Sequence, residues 1–140
     1  MIGLDTNVLL RYLLGDDRRQ FMAAAHLVDD ACSESSPGYV GTIVLAELWW
    51  VLRRSVKLSK TEAGEAISAL INNPHIRVER PDSVIAALAT SLRTPADFAD
   101  CLIVADHLDA GASPTMSFDS GALAAGIMTA VPPRTESAPA

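Results

Sequence analysis

The residues with most chemical promise are acids set against apolar runs. Asp97 and Asp100 stand three apart at the start of Asp97-Phe98-Ala99-Asp100-Cys101-Leu102-Ile103-Val104-Ala105. On a helix that spacing puts both carboxylates on one face, at the end where the macrodipole favours negative charge. Asp5 closes the short apolar run Ile2-Gly3-Leu4, Glu47 interrupts Ile43 to Leu52, and Asp119 follows Met116-Ser117-Phe118. Each acid has an ordinary reading as well. Asp5 suits a helix N-cap, Asp119-Ser120-Gly121 suits a turn, and Glu47 suits a helix that exposes one narrow stripe shared with Arg54. Thr94-Pro95-Ala96-Asp97 reads as an N-cap, a proline at the first helical position and a closing acid. Together they suggest more. Carboxylates that converge cannot all stay ionised unless something positive sits among them. A hard divalent cation, Mg²⁺ or Mn²⁺, meets that need, and held this way it polarises a phosphodiester and activates a bound water. The chemistry expected is metal-dependent phosphodiester hydrolysis.

Short strand candidates alternate with helical patterns along the chain. Ile2 to Leu4, Tyr39 to Thr42, Ile76 to Val78, Thr115 to Phe118 and Gly126 to Val131 read as strands. Helices are expected over Val8 to Leu14, from Asp16-Asp17 to before Ser33, over Ile43 to Val56, from the capping box Ser59 to Glu62 through Ile71, from Asp82 to about Leu92, and from the Asp97 stretch to Gly111. Such alternation predicts an α/β fold, a short parallel sheet covered by helices on both faces in three α/β/α layers. The crevice of such a sheet lies at the C-terminal ends of its strands. Asp5 and Asp119 end strands, Asp100 starts a helix and Glu47 lies in the helix after the second strand, so one crevice can collect all four. Residues 1–131 are expected to form one domain, and the proline-rich residues 132–140 a flexible tail.

Composition sets further bounds. A chain of 140 residues, 49% hydrophobic and 20% charged, is one domain's worth with a real core. No segment is long and apolar enough to span a bilayer, and the N-terminus lacks the pattern of a secretory signal, so no membrane association and a cytoplasmic setting are expected. Cys32 and Cys101 are expected to be reduced thiols. With His26, His75 and His107 they show no zinc-ligand spacing. A formal net charge of −6 argues weakly against a nucleic-acid partner, because a metal offsets gathered acids and local cations decide the contact. Arg53, Arg54, Lys57 and Lys60 fall within eight residues, and Arg11, Arg18 and Arg19 within nine. Phosphate-binding glycine loops and the nucleophile elbow of hydrolases are missing.

In order and spacing, Ile2-Gly3-Leu4-Asp5-Thr6-Asn7-Val8-Leu9-Leu10, Val44-Leu45-Ala46-Glu47-Leu48, Asp97-Phe98-Ala99-Asp100-Cys101-Leu102-Ile103 and Ser117-Phe118-Asp119 resemble the PIN-domain ribonucleases, especially the VapC toxins of toxin-antitoxin modules. The resemblance runs from near residue 1 to about residue 131. It implies Mg²⁺- or Mn²⁺-dependent cleavage of RNA, a homodimer, and inhibition by a cognate antitoxin protein. Asp5 and Asp100 would be the main metal ligands, with Glu47 and Asp119 completing the acidic site. Thr6, Asn7 and Ser117 would support them, and Asp97 would be a cap or a support. The alternatives are another metal-dependent nuclease or phosphohydrolase, and a non-catalytic partner-binding module.

Overall fold

The computed structural model describes residues 1–135. Residues 136–140 of the expected tail lie outside the described residues. The N-terminal half runs β1 (Ile2–Gly3), α1 (Thr6–Leu14), α2 (Arg18–Ala25), β2 (Gly38–Val40), α3 (Thr42–Trp50) and α4 (Lys60–Ile71). After it come β3 (Ile76–Val78), α5 (Pro81–Arg93), α6 (Phe98–Asp109), β4 (Met116–Ser117), α7 (Ser120–Ala124) and β5 (Thr129–Ala130). Strands β1, β2 and β3 pair in parallel in that order, and β4 and β5 pair in parallel with each other. This is the expected three-layer α/β/α arrangement with short parallel strands.

Local chemistry explains most boundaries. Asp17 accepts from the Gln20 N-H and starts α2, and Ser59 and Glu62 exchange both bonds of a capping box at α4. Gly15, at φ +62°, ends α1 in a left-handed turn that a side chain would strain. Two helices widen into π turns, α2 over His26–Ala31 and α3 over Val51–Ser55, so α3 extends as a continuous rod to Arg53 and Arg54.

Three of the boundaries that differ from the sequence expectation have a local cause, and β5 is also shorter than expected, Thr129–Ala130. The second strand ends at Val40, because Gly41 is already the N-cap of α3 and the Thr42 N-H donates to Glu79 Oε1 at 3.2 Å. Helix α6 starts at Phe98, not near Pro95: Thr94 ends α5, and its hydroxyl accepts from the Ala96 N-H. Asp119 opens a short helix, α7, where the sequence predicts a turn.

The core lies between the sheet and helices α1, α3, α4, α5 and α6. Leu9, Val40, Leu45, Leu48, Trp49, Ile67, Val84 and Phe98 are fully enclosed there. Each large apolar side chain removed from water contributes roughly 1.5–3 kcal/mol. Cys32 and Cys101 are buried free thiols. Among the described residues no helix is long and apolar enough to cross a membrane.

Candidate functional site

Helix α6 enters the fold on its aromatic first residue. Phe98 is fully buried, with its ring centroid 5.1 Å from that of Trp49 on α3. The Trp49 indole N-H donates to the Asp97 carboxylate. Asp97 therefore occupies the N-cap position of α6, yet its side chain makes no cap bond and is spent across the helix pair instead. This ties the start of α6 to α3 and fixes the direction of the next acid on the same face, Asp100.

Asp100 is half-buried and is the electrostatic centre of the region. Burial, then the charges of Asp97 and Asp119, push its carboxyl above the ordinary range. Asp119 reaches this neighbourhood from the end of β4. Its backbone N-H donates to Ser117 Oγ at 2.9 Å, and its carboxylate accepts from the Ala122 N-H at 2.8 Å as the cap of α7. Ser117 thus acts by holding Asp119 in place. The charges of Asp97 and Asp119 both reach Asp100 at the start of α6, and no lysine or arginine forms an ion pair with any of the three among the described residues.

The other expected residues stand differently. Asp5 is exposed at the end of β1, where it caps α1 and accepts from the Thr6 N-H at 2.8 Å. The adjacent Thr6 is buried, and its hydroxyl oxygen has no hydrogen-bond partner. Asn7 is exposed in the first turn of α1. Glu47 lies on an exposed stripe of α3 with Ile43, Trp50 and Arg54, as the narrow-stripe reading has it. With Arg54 and Asp106 it borders an apolar groove of about 560 Å³ between α3 and α6. Of the expected acids, Asp119 acts on Asp100 by its charge, and Asp97 acts on it from the same helix.

The donor set fits a hard cation held loosely. Among the described residues no three His, Cys, Asp or Glu side chains are grouped to enclose an ion on their own. Mg²⁺ does not require that many, since it keeps several waters and binds through one or two carboxylates and the phosphate oxygens of a substrate. Asp100 and Asp119 supply such oxygens, and their mutual repulsion is what a cation relieves. The orphaned Thr6 hydroxyl beside Asp5 is a further oxygen with unused capacity.

Sequence reasoning did not single out two features. The indole bond to Asp97 spans 48 residues, so no local signal announces it. Lys60 closes a small cavity beside Asp97 and was visible only as one member of a cation run. The family model of the PIN domain matches residues 2–124. No curated protein matches the chain. The chain belongs to the PIN-domain family, whose members are generally nucleases that use divalent metals.

Proposed function

We propose that this PIN-domain protein is an Mg²⁺- or Mn²⁺-dependent endoribonuclease and the toxin of a toxin-antitoxin pair, active as a homodimer and restrained by a cognate antitoxin protein. The observation that supports the reading, in a chain of this family, is that the charges of Asp97 and Asp119 both reach half-buried Asp100 while none of the three is in an ion pair among the described side chains. A divalent ion bound there supplies a Lewis acid for the phosphodiester and a bound water of lowered pKa.

The chain's own residues have separable duties in this reading. Asp100 and Asp119 present hard oxygens to the metal, and Asp5, with the Thr6 hydroxyl beside it, adds to them from the end of β1. Glu47 orients the attacking water. Ser117 holds the Asp119 backbone at 2.9 Å, Asp97 locks the start of α6 to α3 through Trp49, and Asn7 supports the first turn of α1. The second copy packs on Ile43 and Ile103, which stand exposed on the groove between α3 and α6.

The test is cleavage of total RNA and of a single-stranded oligonucleotide by purified protein, with DNA of the same sequence alongside. Cleavage should require Mg²⁺ or Mn²⁺, stop with chelator, and fall at least about a hundredfold in Asp100→Asn, beyond the loss typical of a residue that only orients a ligand. Cleavage by that variant at the wild-type rate sinks the assignment.

A further inference from the structure

Beside the acidic start of α6 lies a second, unlike cavity. It measures about 330 Å³ and is bordered by Trp50, Arg53, Arg54, Lys60, Pro95 and Asp97. That size sits at the lower end of the roughly 300–1,000 Å³ of small-ligand sites, enough for one nucleotide unit. Among the described residues none of its three cations is paired with a carboxylate. An Arg53 Nη donates to the Leu58 carbonyl at 2.9 Å and Lys60 Nζ to the Thr94 carbonyl at 2.8 Å, bonds that hold both side chains in place and leave their charge uncompensated. The Arg54 guanidinium lies 4.5 Å from the Trp50 ring centre, and Trp50 is half exposed. The single acid on the cavity wall, Asp97, is engaged by the Trp49 indole. On a chain with net charge −6 this is a local inversion of sign, placed one turn of helix from Asp100.

We propose that this cavity is a subsite for one unpaired nucleotide of the RNA flanking the scissile phosphate, a refinement that rests on the nuclease reading above. Arg53 and Lys60 each hold one of the two backbone phosphates that flank the nucleotide, and the stacked Trp50 and Arg54 give a flat face for the base. Every base has a π face, so the subsite selects for single-stranded character more than for sequence. Phosphate held here places the neighbouring phosphodiester against Asp100 and Asp119, whose negative charge alone repels RNA. The cations thus solve the problem that the acids create.

The experiment measures binding without cleavage. Fluorescence anisotropy of a labelled single-stranded RNA of eight nucleotides is followed in chelator across a series of salt concentrations. Single-stranded RNA should bind better than the duplex of the same sequence. Arg53→Ala with Lys60→Ala should weaken binding and flatten the log-log salt dependence by about 1.4, at roughly 0.7 for each phosphate no longer neutralised. Arg53→Gln alone, at an exposed position, should remove about half of that slope, and Arg53→Lys should restore it. Trp50→Ala should weaken binding about tenfold, within the range for loss of one stacked base. Wild-type affinity and slope in the double variant and in Arg53→Gln, or equal affinity for duplex RNA, overturns the subsite. The nuclease reading fails separately: if the wild type cleaves nothing with either metal while the cation dependence stands, the subsite survives as an RNA-binding site. If cleavage needs Asp100 and the slope is unmoved, the subsite alone falls.

Discussion

Helix α6 carries the same pair twice. Asp97 and Asp100 open it, and Asp106 and Asp109 close it, both three residues apart on one face. At the closing end the Arg80 guanidinium bonds to Asp106, reaches Asp109 at 3.1 Å and Glu79 at 3.0 Å, and Ser83 donates to Asp109 at 2.8 Å. Every carboxylate there has a partner, and the cluster pins α5 to α6. At the opening end Asp97 receives only a neutral indole N-H, and Asp100 faces two further acids. Identical residues at identical spacing serve as a clamp where an arginine pairs with them and are free for chemistry where none does. Spacing nominates acids, and the missing counter-charge distinguishes the ones held for a ligand.

Charge removal should therefore have opposite effects at the two ends. Asp100→Asn should lower metal-dependent RNA cleavage at least about a hundredfold, yet raise the thermal midpoint in metal-free buffer, because it relieves repulsion from Asp97 and Asp119. Asp109→Asn should leave cleavage near wild type and lower stability by less than about 1 kcal/mol, as for a half-exposed ion pair. Paired cleavage assays and thermal melts check both. Matching behaviour of the two variants breaks the comparison.

The anchors differ in the same sense. Trp49→Phe keeps the ring against Phe98 but leaves Asp97 without its donor, and should cost about 1–2 kcal/mol by denaturant unfolding. Cleavage should fall with it, since Asp100 loses its fixed direction. At the other end Arg80 sits at φ +42°. Arg80→Ala loses the clamp and keeps the strained backbone, whereas Arg80→Gly loses the clamp and relieves the strain. The glycine variant should be the more stable of the two by about 1 kcal/mol, with cleavage unchanged in both. Equal stability of the two variants removes strain from the account of this corner.

What could be read from the sequence divides along the same line. The capping box at Ser59 and Glu62, the stop at Gly15 and the alternation of strands with helices are local, and the structure bears them out. Asp100 was legible as an acid among buried neighbours, Ala99, Cys101 and Leu102. The partners were not. Trp49 lies 48 residues from Asp97, and Arg80 lies 26 from Asp106, so nothing near any of these acids says which is paired. Helix α3 is apolar almost all round, and only the two-turn spacing of Glu47 and Arg54 pointed to the narrow exposed stripe on which Glu47 lies. Asp119-Ser120-Gly121 begins a turn and a short helix with the same residues, and α7 was settled only by the Ala122 N-H that Asp119 accepts.

The smallest expected effect uses a reporter the fold has already placed. Cys101 is the residue after Asp100 and is buried. Burial pushes its thiol up to about 11, Asp100 and Asp97 push in the same direction, and Lys60 pulls it down. A raised pKa in the folded state means that stability from the neutral thiol is fully present below the unfolded value near 9 and is lost as pH climbs toward 11. The unfolding midpoint should decline through that window and decline less in Cys101→Ala. Followed by thiolate absorbance in a Cys32→Ala background, the Cys101 titration should move down in Asp100→Asn, up in Lys60→Ala, and not at all in Asp106→Asn. The third arm is the decisive one, because Asp106 is on the same helix but its charge is already met by Arg80. A thiol that responds equally to Asp106 and Asp100 means the two ends share one field, and the distinction between clamp and site is lost.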